Sequence, residues 1–359
     1  AEARAILLEL AAEQLATPAS RLTAENGVVY DTSDRKKQVT FARLAKGQKI
    51  TRKLDRKAEI KPASQFTVIG KSPMRVDAIE KVTGKAQFTG DLRFPDLLYA
   101  RVLRPPAHGA ALKSADTSAA EKIPGTLVVK EEGMIAVLHP DPEAADKALA
   151  AIRADFDVPQ SEVDQETIFD HILKAAPKPQ QRERKGDLAA GEKASVELFE
   201  ETYLNGYGAH ATIETHTACA KLENGKMTVW NSTQTPFPNQ QEIARALKFP
   251  PENVRVITPY VGGGFGGKSS GPQAVEAALL ARITGKPVQV SLNRAEEFFY
   301  DYFRPAAVVK IKSGLDGAGK ICLWDYHVYY AGSRSAEQFY DVPNNLMSTY
   351  GNWMGDTSG

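Results

Sequence analysis

Five of the six residues from Gly262 to Gly267 are glycine, in the run Val261-Gly262-Gly263-Gly264-Phe265-Gly266-Gly267-Lys268-Ser269. Such a run lets backbone N–H groups approach a phosphate or another anion with no Cβ in the way. Residues 253–258 before it read as a strand and residues 272–283 after it as a helix. The N-terminus of that helix would add partial positive charge to the loop. A tight structural turn is the plainer reading, but five glycines exceed what a turn needs.

Short patterns do not choose among the ligand classes. Gly262, Gly267, Lys268 and Ser269 satisfy the P-loop pattern GxxxxGK[ST]. Gly262, Gly264 and Gly267 satisfy the dinucleotide pattern GxGxxG. A P-loop calls for a later apolar strand ending in Asp to hold magnesium. The strand expected over residues 287–293 ends in Asn293 instead. A dinucleotide fold calls for an acid about 20 residues on. Arg294 stands near that strand's end and could meet a 2′-phosphate. Both readings are weakened and remain open at this level, as does a turn that only packs.

The rest of the chain sets the frame. Its 359 residues suggest two or three domains. A net charge of +1 favours neither nucleic acid nor an anionic membrane as partner. No apolar run approaches the ~20 residues of a membrane span. Cys219 and Cys322, without CxxC spacing, hold neither an iron–sulfur cluster nor a structural zinc, so electron-transfer centres would sit on other chains. The chain lacks an initiator Met and a signal-peptide pattern, and its last nine residues read as loop. A fragment, or one piece of a split polypeptide, is expected.

Residues 1–15 read as a helix and 27–31 as a strand, followed by a basic linker over 45–68. Strands are expected at 87–91, 98–103, 126–130 and 135–138, with a helix over 142–152. Strands then a helix in one short unit suggest a small α+β domain. The polar stretch 159–198 reads as a surface connection. Beyond it, strands at 226–230, 253–258 and 288–292 alternate with helices at 239–247 and 272–283, an α/β pattern. The fold class expected is therefore mixed, α+β and α/β.

Three stretches carry a family resemblance: His210-Ala211-Thr212-Ile213-Glu214-Thr215-His216, Val229-Trp230-Asn231-Ser232-Thr233-Gln234, and Gly262 to Lys268. In this order and spacing they resemble the molybdenum-binding subunit of the xanthine dehydrogenase/aldehyde oxidase family. The likeness continues through Asn293 to Phe298 and Phe303-Arg304-Pro305. It implies four segments. Residues 1–68 would be part of a split cofactor domain plus linker, as in bacterial isoquinoline-oxidoreductase-like members. Residues 69–158 would be a small hammerhead domain, 159–198 a connection, and 199–359 an incomplete first molybdenum-cofactor-binding domain.

The chemistry implied is hydroxylation of an aldehyde or N-heterocycle with water as oxygen source. The cofactor implied is a molybdenum-pterin, with the cytosine dinucleotide form as an option. No protein side chain ligates the metal directly. Partners implied are an iron–sulfur subunit carrying 2Fe-2S clusters, a flavin subunit carrying FAD, and the rest of the molybdenum subunit. The compartment implied is the cytoplasm, with the periplasm as alternative. Gln234 matches the glutamine that hydrogen-bonds the metal's apical oxygen; alone, it would read as a surface residue or strand-end cap. Phe265 and Gly266 match positions whose backbone lies against the metal ligands, with the Phe265 ring walling the site. Gly263, Gly264 and Gly267 would give the cofactor access to backbone. Lys268 would neutralise a phosphate or cap the loop. His210, Glu214 and His216 lack the HExxH spacing of a zinc site and are expected to hydrogen-bond within the domain.

Departures from the family matter too. Purine-oxidising members carry a Glu two places after the last loop glycine, where this chain has Ser269. That argues against a xanthine-like substrate. Neither the setting of the family's catalytic Glu nor its Gly-Gln-Gly cofactor motif occurs here, so a competent site is expected to need further polypeptide. Beside this reading stand a P-loop nucleotide-binding protein and a non-catalytic structural subunit.

Overall fold

The computed structural model describes residues 1–47, 49–52, 57–58, 60–131, 133–161, 163–332 and 336–351. Parts of the expected basic linker and the loop-like run after Gly351 lie outside the described residues. The chain divides into two compact units, residues 1–79 and 80–359.

In the first unit the helix Glu2–Leu15 lies on an antiparallel sheet of β1 (Leu22–Glu25), β2 (Val28–Asp31) and β3 (Asp34–Thr40). The apolar stripe read from the sequence supplies Leu8, Ala11, Ala12 and Leu15, which pack with Leu22, Val29 and Val39. Ala16 ends the helix in a left-handed conformation, φ 45°, with its N–H returning to the Ala12 carbonyl. Thr40 closes β3 and caps the next helix, Phe41–Ala45, its hydroxyl accepting from the Arg43 N–H at 3.1 Å.

The second unit holds β4 (Leu98–Val102), β5 (Ala111–Asp116), β6 (Leu127–Glu131), β7 (Met134–His139), β8 (Arg153–Asp157), β9 (Gln180–Lys185), β10 (Glu197–Asn205), β11 (Thr217–Glu223), β12 (Lys226–Asn231), β13 (Val254–Ile257), β14 (Val288–Ser291), β15 (Ala307–Leu315), β16 (Ile321–Tyr329) and β17 (Asn344–Tyr350). Seven form one sheet in the order β13-β12-β11-β14-β4-β7-β6. Five form a second, β10-β15-β16-β17-β9, and β5 pairs with β8 alone. The class is mixed α/β. In the seven-stranded sheet β14 runs parallel to β4, with Val288 opposite Leu98. Strands from residues 69–158 and from 199–359 therefore share one hydrogen-bonded sheet.

Burial explains why that sheet is stable. The helix Gln273–Thr284 presents Ala274, Ala277, Ala278 and Ala281 on one face, all at most 3% exposed. This i, i+3, i+4, i+7 stripe of small side chains lets the helix settle closely on β11 and β14. Ile243, Ala244 and Leu247 from the helix Pro236–Leu247 join the same core, with Met227, Val229, Val288 and Val290 from the strands. Fully burying side chains of the Val, Leu, Ile or Met size contributes about 1.5–3 kcal/mol each.

Two expectations need correction. Residues 87–91 do not form a strand; the chain makes a 3₁₀ turn, Thr89–Asp91, with a single bridge from Phe88 to Tyr260. The Asp91 carboxylate accepts from the Phe88 N–H at 3.0 Å and curls the segment. The stretch 159–198 is more than a connection. Its helix Ile168–Lys174 buries Ile168 and Ile172, one turn apart, against Ala306 and Val308. The polar β9 pairs only with β17, as an edge strand. Asp187 then caps the helix Leu188–Ala194 by accepting from the Ala190 N–H.

Candidate cofactor site

The glycine loop follows β13 and folds back on the residues that leave β12. Three of those residues bind it. The Gln234 N–H and the Thr233 hydroxyl both donate to the Lys268 carbonyl, at 2.9 and 3.0 Å. The Thr235 hydroxyl donates to the Ser269 carbonyl at 2.6 Å. The Ser-Thr-Gln-Thr run is thus a row of short polar groups at the strand end, where free backbone carbonyls need donors.

Gln234 makes the decisive contact. Its Oε1 accepts from the Gly266 N–H at 2.9 Å. A backbone N–H can only donate, so this bond assigns the amide: oxygen toward the loop, NH₂ away from it. Gln234 is exposed, and its NH₂ makes no hydrogen bond among the described residues. Gly264 packs against the same amide. A Cβ there would sit 2.5 Å from Gln234 Oε1 and 2.7 Å from Cδ. The glycine at 264 is therefore a matter of space, since its φ is not positive. At Gly263 and Gly266 the backbone itself needs glycine, with φ of 101° and 114°. Phe265, between them, takes a left-handed φ of 52° and is 76% exposed. It is not a core aromatic; the loop lifts it outward at the cost of an unfavourable backbone conformation. The structure brings Gln234, Phe265 and Gly266 together on one exposed surface, with Gly263 half-buried beside them and Gly264 and Gly267 buried within the loop.

Under the loop the chemistry differs. The Lys268 side chain is fully buried, and its Nζ lies 2.8 Å from Glu214 Oε2. The same oxygen accepts from the Gly262 N–H at 2.7 Å. This corrects the expectation that Lys268 meets a phosphate or caps the loop: its ammonium points down into a carboxylate. The helix expected over residues 272–283 is present as Gln273–Thr284, separated from the loop by a short 3₁₀ turn, Gly267–Ser269. Neither the lysine nor the helix N-terminus of a P-loop stands at this loop. Arg294, offered for a dinucleotide phosphate, donates to the Ile213 carbonyl and lies over the Phe298 ring.

His210, Glu214 and His216 each turn to a different partner. His210 Nδ1 lies 3.0 Å from Asp301 Oδ2, and His216 Nδ1 lies 3.0 Å from both oxygens of Glu297. His216 Nε2 faces the Ser270 carbonyl at 3.0 Å. Burial pushes the Glu297 carboxyl up, but the His216 ring, the His216 N–H and the Thr212 hydroxyl outweigh it and hold the group below the usual carboxylate range. Glu297 and Asp301 are one turn apart on the helix Arg294–Tyr300 and its end. Sequence reasoning did not single them out. The available signal was the Asn293–Glu296 capping box, which starts a helix and so sets the i, i+4 spacing of the two acids. A cavity of about 340 Å³, lined by Phe88, Asp91, Ile213, Glu214 and Gly262 among others, opens beside the loop.

Comparison with known proteins decides the family. The profile of the molybdopterin cofactor-binding domain matches residues 172–353, more than half of the chain. The chain belongs to the molybdopterin cofactor-binding domain family. Relatives bear out the resemblance drawn from the three motifs. This molybdopterin-domain chain is 26% identical to a nicotinate dehydrogenase subunit of Pseudomonas putida over 92% of its own length and 28% of the relative's. It is 29% identical to an aldehyde oxidoreductase molybdenum-binding subunit of Escherichia coli, covering 75% of itself and 41% of that protein. It is 25% identical to the beta chain of isoquinoline 1-oxidoreductase of Brevundimonas diminuta, covering 99% and 51%. The chain thus spans between about a quarter and a half of these relatives. Its fold matches quinoline 2-oxidoreductase from Pseudomonas putida 86 with a TM-score of 0.67 at 20% identity, over 79% of this chain and 44% of that one. No helix among the described residues is long and apolar enough to cross a membrane.

The residues present fit the cofactor that the domain's name implies. The loop exposes Phe265 and Gly266, sets Gly263 and Gly266 at positive φ, and has beside it a carboxamide whose NH₂ is without a partner among the described residues. The fit is to a group with acceptor oxygens that the Gln234 NH₂ can meet.

Proposed function

We propose that this chain forms one wall of a molybdenum-hydroxylase active site acting on an aldehyde or N-heterocycle. One observation carries the reading: Gly266 fixes the Gln234 amide so that its NH₂ faces outward beside an open glycine loop. Gln234 would help hold the group by donating its NH₂ to an acceptor oxygen on it, and a neutral amide does so without titrating. Phe265 covers the site and excludes water from one side. Gly263 and Gly266 leave backbone for the cofactor to approach, while the buried Gly264 and Gly267 shape the loop around Gln234 and His210. Bound there, the molybdenum-pterin group supplies two-electron oxidation with water as the oxygen source. Relatives named for nicotinate, isoquinoline and aldehydes support this substrate range. Ser269, where purine-oxidising members have Glu, points away from xanthine-like substrates.

Within this reading residues 69–158 are the hammerhead segment and 1–68 a piece of a split cofactor domain. The cofactor is the cytosine dinucleotide form, the 2Fe-2S and FAD centres belong to partner subunits, and the enzyme works in the cytoplasm. The test is metal analysis of the purified complex with pterin fluorescence after oxidation. Stoichiometric molybdenum with pterin supports the reading. Absence of both, with specific ATP binding instead, overturns it.

A further inference from the structure

The histidine–acid pair nearest the loop has an arrangement the proposed chemistry does not use. His210 is held twice by Asp301, whose Oδ2 accepts from its N–H at 3.1 Å and lies 3.0 Å from its Nδ1. The Asp301 side chain is 1% exposed and that of His210 19%. The other edge of the ring abuts the loop. A Cβ on Gly266 would sit 3.2 Å from His210 Nε2, and one on Gly267 would lie 2.9 Å from Nδ1 and collide with Asp301 Oδ1. The imidazole thus fills the space that two glycines leave open, and one of them, Gly266, donates the N–H that holds Gln234. Close-packed groups transmit displacement, because an interior has no slack to absorb it.

We propose that His210, fixed by Asp301, is a positioning residue that sets Gly266 and through it the Gln234 carboxamide. The inference rests on the proposed function, since it assigns the brace a role in turnover. His210 touches neither cofactor nor substrate; it acts through the Gly266 backbone. A positioning error of about 1 Å at a reacting group costs roughly 100-fold in rate.

His210→Asn separates bracing from folding. An Asn amide still donates to Asp301 from near the Nδ1 position, but the ring edge behind Gly266 is gone. In the holoenzyme we expect faster amide hydrogen exchange in the peptide covering residues 261–270, with exchange elsewhere unchanged. We expect kcat to fall by about 10- to 100-fold with KM unchanged. In a Gln234→Ala background the same substitution should cost little more, because both changes act on one contact. Wild-type kcat in His210→Asn overturns the proposal, and so do losses that simply add to those of Gln234→Ala. If His210→Asn does not fold, Asp301→Asn, which keeps size and an acceptor, is read by the same measurements and the same outcomes. The exchange readout does not depend on cofactor. A wild-type complex without molybdenum would therefore defeat the proposed function while leaving the brace itself measurable.

Discussion

The glycine loop has an underside and a crown built from opposite chemistry. Below it, Lys268 meets Glu214, His216 meets Glu297 and His210 meets Asp301. On the crown stand an uncharged amide, an exposed phenylalanine and two glycines at positive φ. Buried charges are costly to desolvate and persist when paired, so the underside holds the loop's shape. The crown has a donor without a partner among the described residues and a strained backbone, features that do not stabilise the fold and that the proposed function assigns to a ligand. The lesson is that charge near a glycine loop need not be ligand-directed. Here the lysine that completes a P-loop pattern serves the fold.

Substitutions on the two sides should therefore separate stability from turnover. The largest expected effect lies below. Lys268→Ala leaves Glu214 facing an empty space, and breaking a buried pair in this way costs about 3–5 kcal/mol. Chemical denaturation should show that loss. Unchanged stability would mean that the pair is not held as described, and the contrast between the two faces would fail.

On the crown, Gln234→Ala should leave the denaturation curve unchanged, because the side chain is exposed. Its turnover should fall by the worth of one well-placed donor, roughly 2–4 kcal/mol of transition-state stabilisation. Equal kcat in mutant and wild type, at equal molybdenum content, would remove Gln234 from the site. Gly264→Ala sharpens the point. Its new Cβ would press on the Gln234 amide, which is the mobile end of an exposed side chain and can move aside. The variant should fold normally and lose somewhat less turnover than Gln234→Ala. Combined, the two should cost little more than the larger alone, as expected for changes that remove one interaction. Full additivity in steady-state kinetics would show that Gly264 acts independently of the amide.

The smallest expected effect is a pH dependence on the underside. Glu297 has a folded pKa below its unfolded one, so its pair with His216 adds stability above the unfolded carboxyl pKa. That contribution is lost as pH falls through the acidic carboxylate range toward the folded value. Glu297→Gln should lower the melting temperature at neutral pH and flatten its fall below about pH 4.5. A slope in the variant as steep as in wild type would assign the acid sensitivity to other carboxylates.

Local patterns were legible because local physics sets them. The helix Gln273–Thr284 shows its alanine stripe at helical spacing, and β12 and β14 place apolar residues at alternate positions, Met227 and Val229, Val288 and Val290, as a strand with one face on the core requires. The curl at Thr89–Asp91 was not legible, since an apolar-polar run looks like a strand until a carboxylate three residues on takes its N–H. The helix and edge strand within 159–198 were hidden by polar composition, because only Ile168 and Ile172 of that helix are buried and β9 has a single neighbour.

The sequence by itself determined that a loop of this flexibility exists, that a Ser-Thr-Gln strand end precedes it, and that the three motifs belong together. These are properties of residue type and order. Tertiary structure alone decided what each side chain faces. Lys268 and Glu214 are 54 residues apart, His216 and Glu297 are 81, and His210 and Asp301 are 91. Such pairs form because the sheet and its helices bring distant segments within hydrogen-bond reach. A buried charge then accepts whichever opposite charge the packing delivers. No spacing along the chain encodes that choice, and so the sequence offered Lys268 as a phosphate neutraliser or a loop cap, whereas the fold pairs it with Glu214.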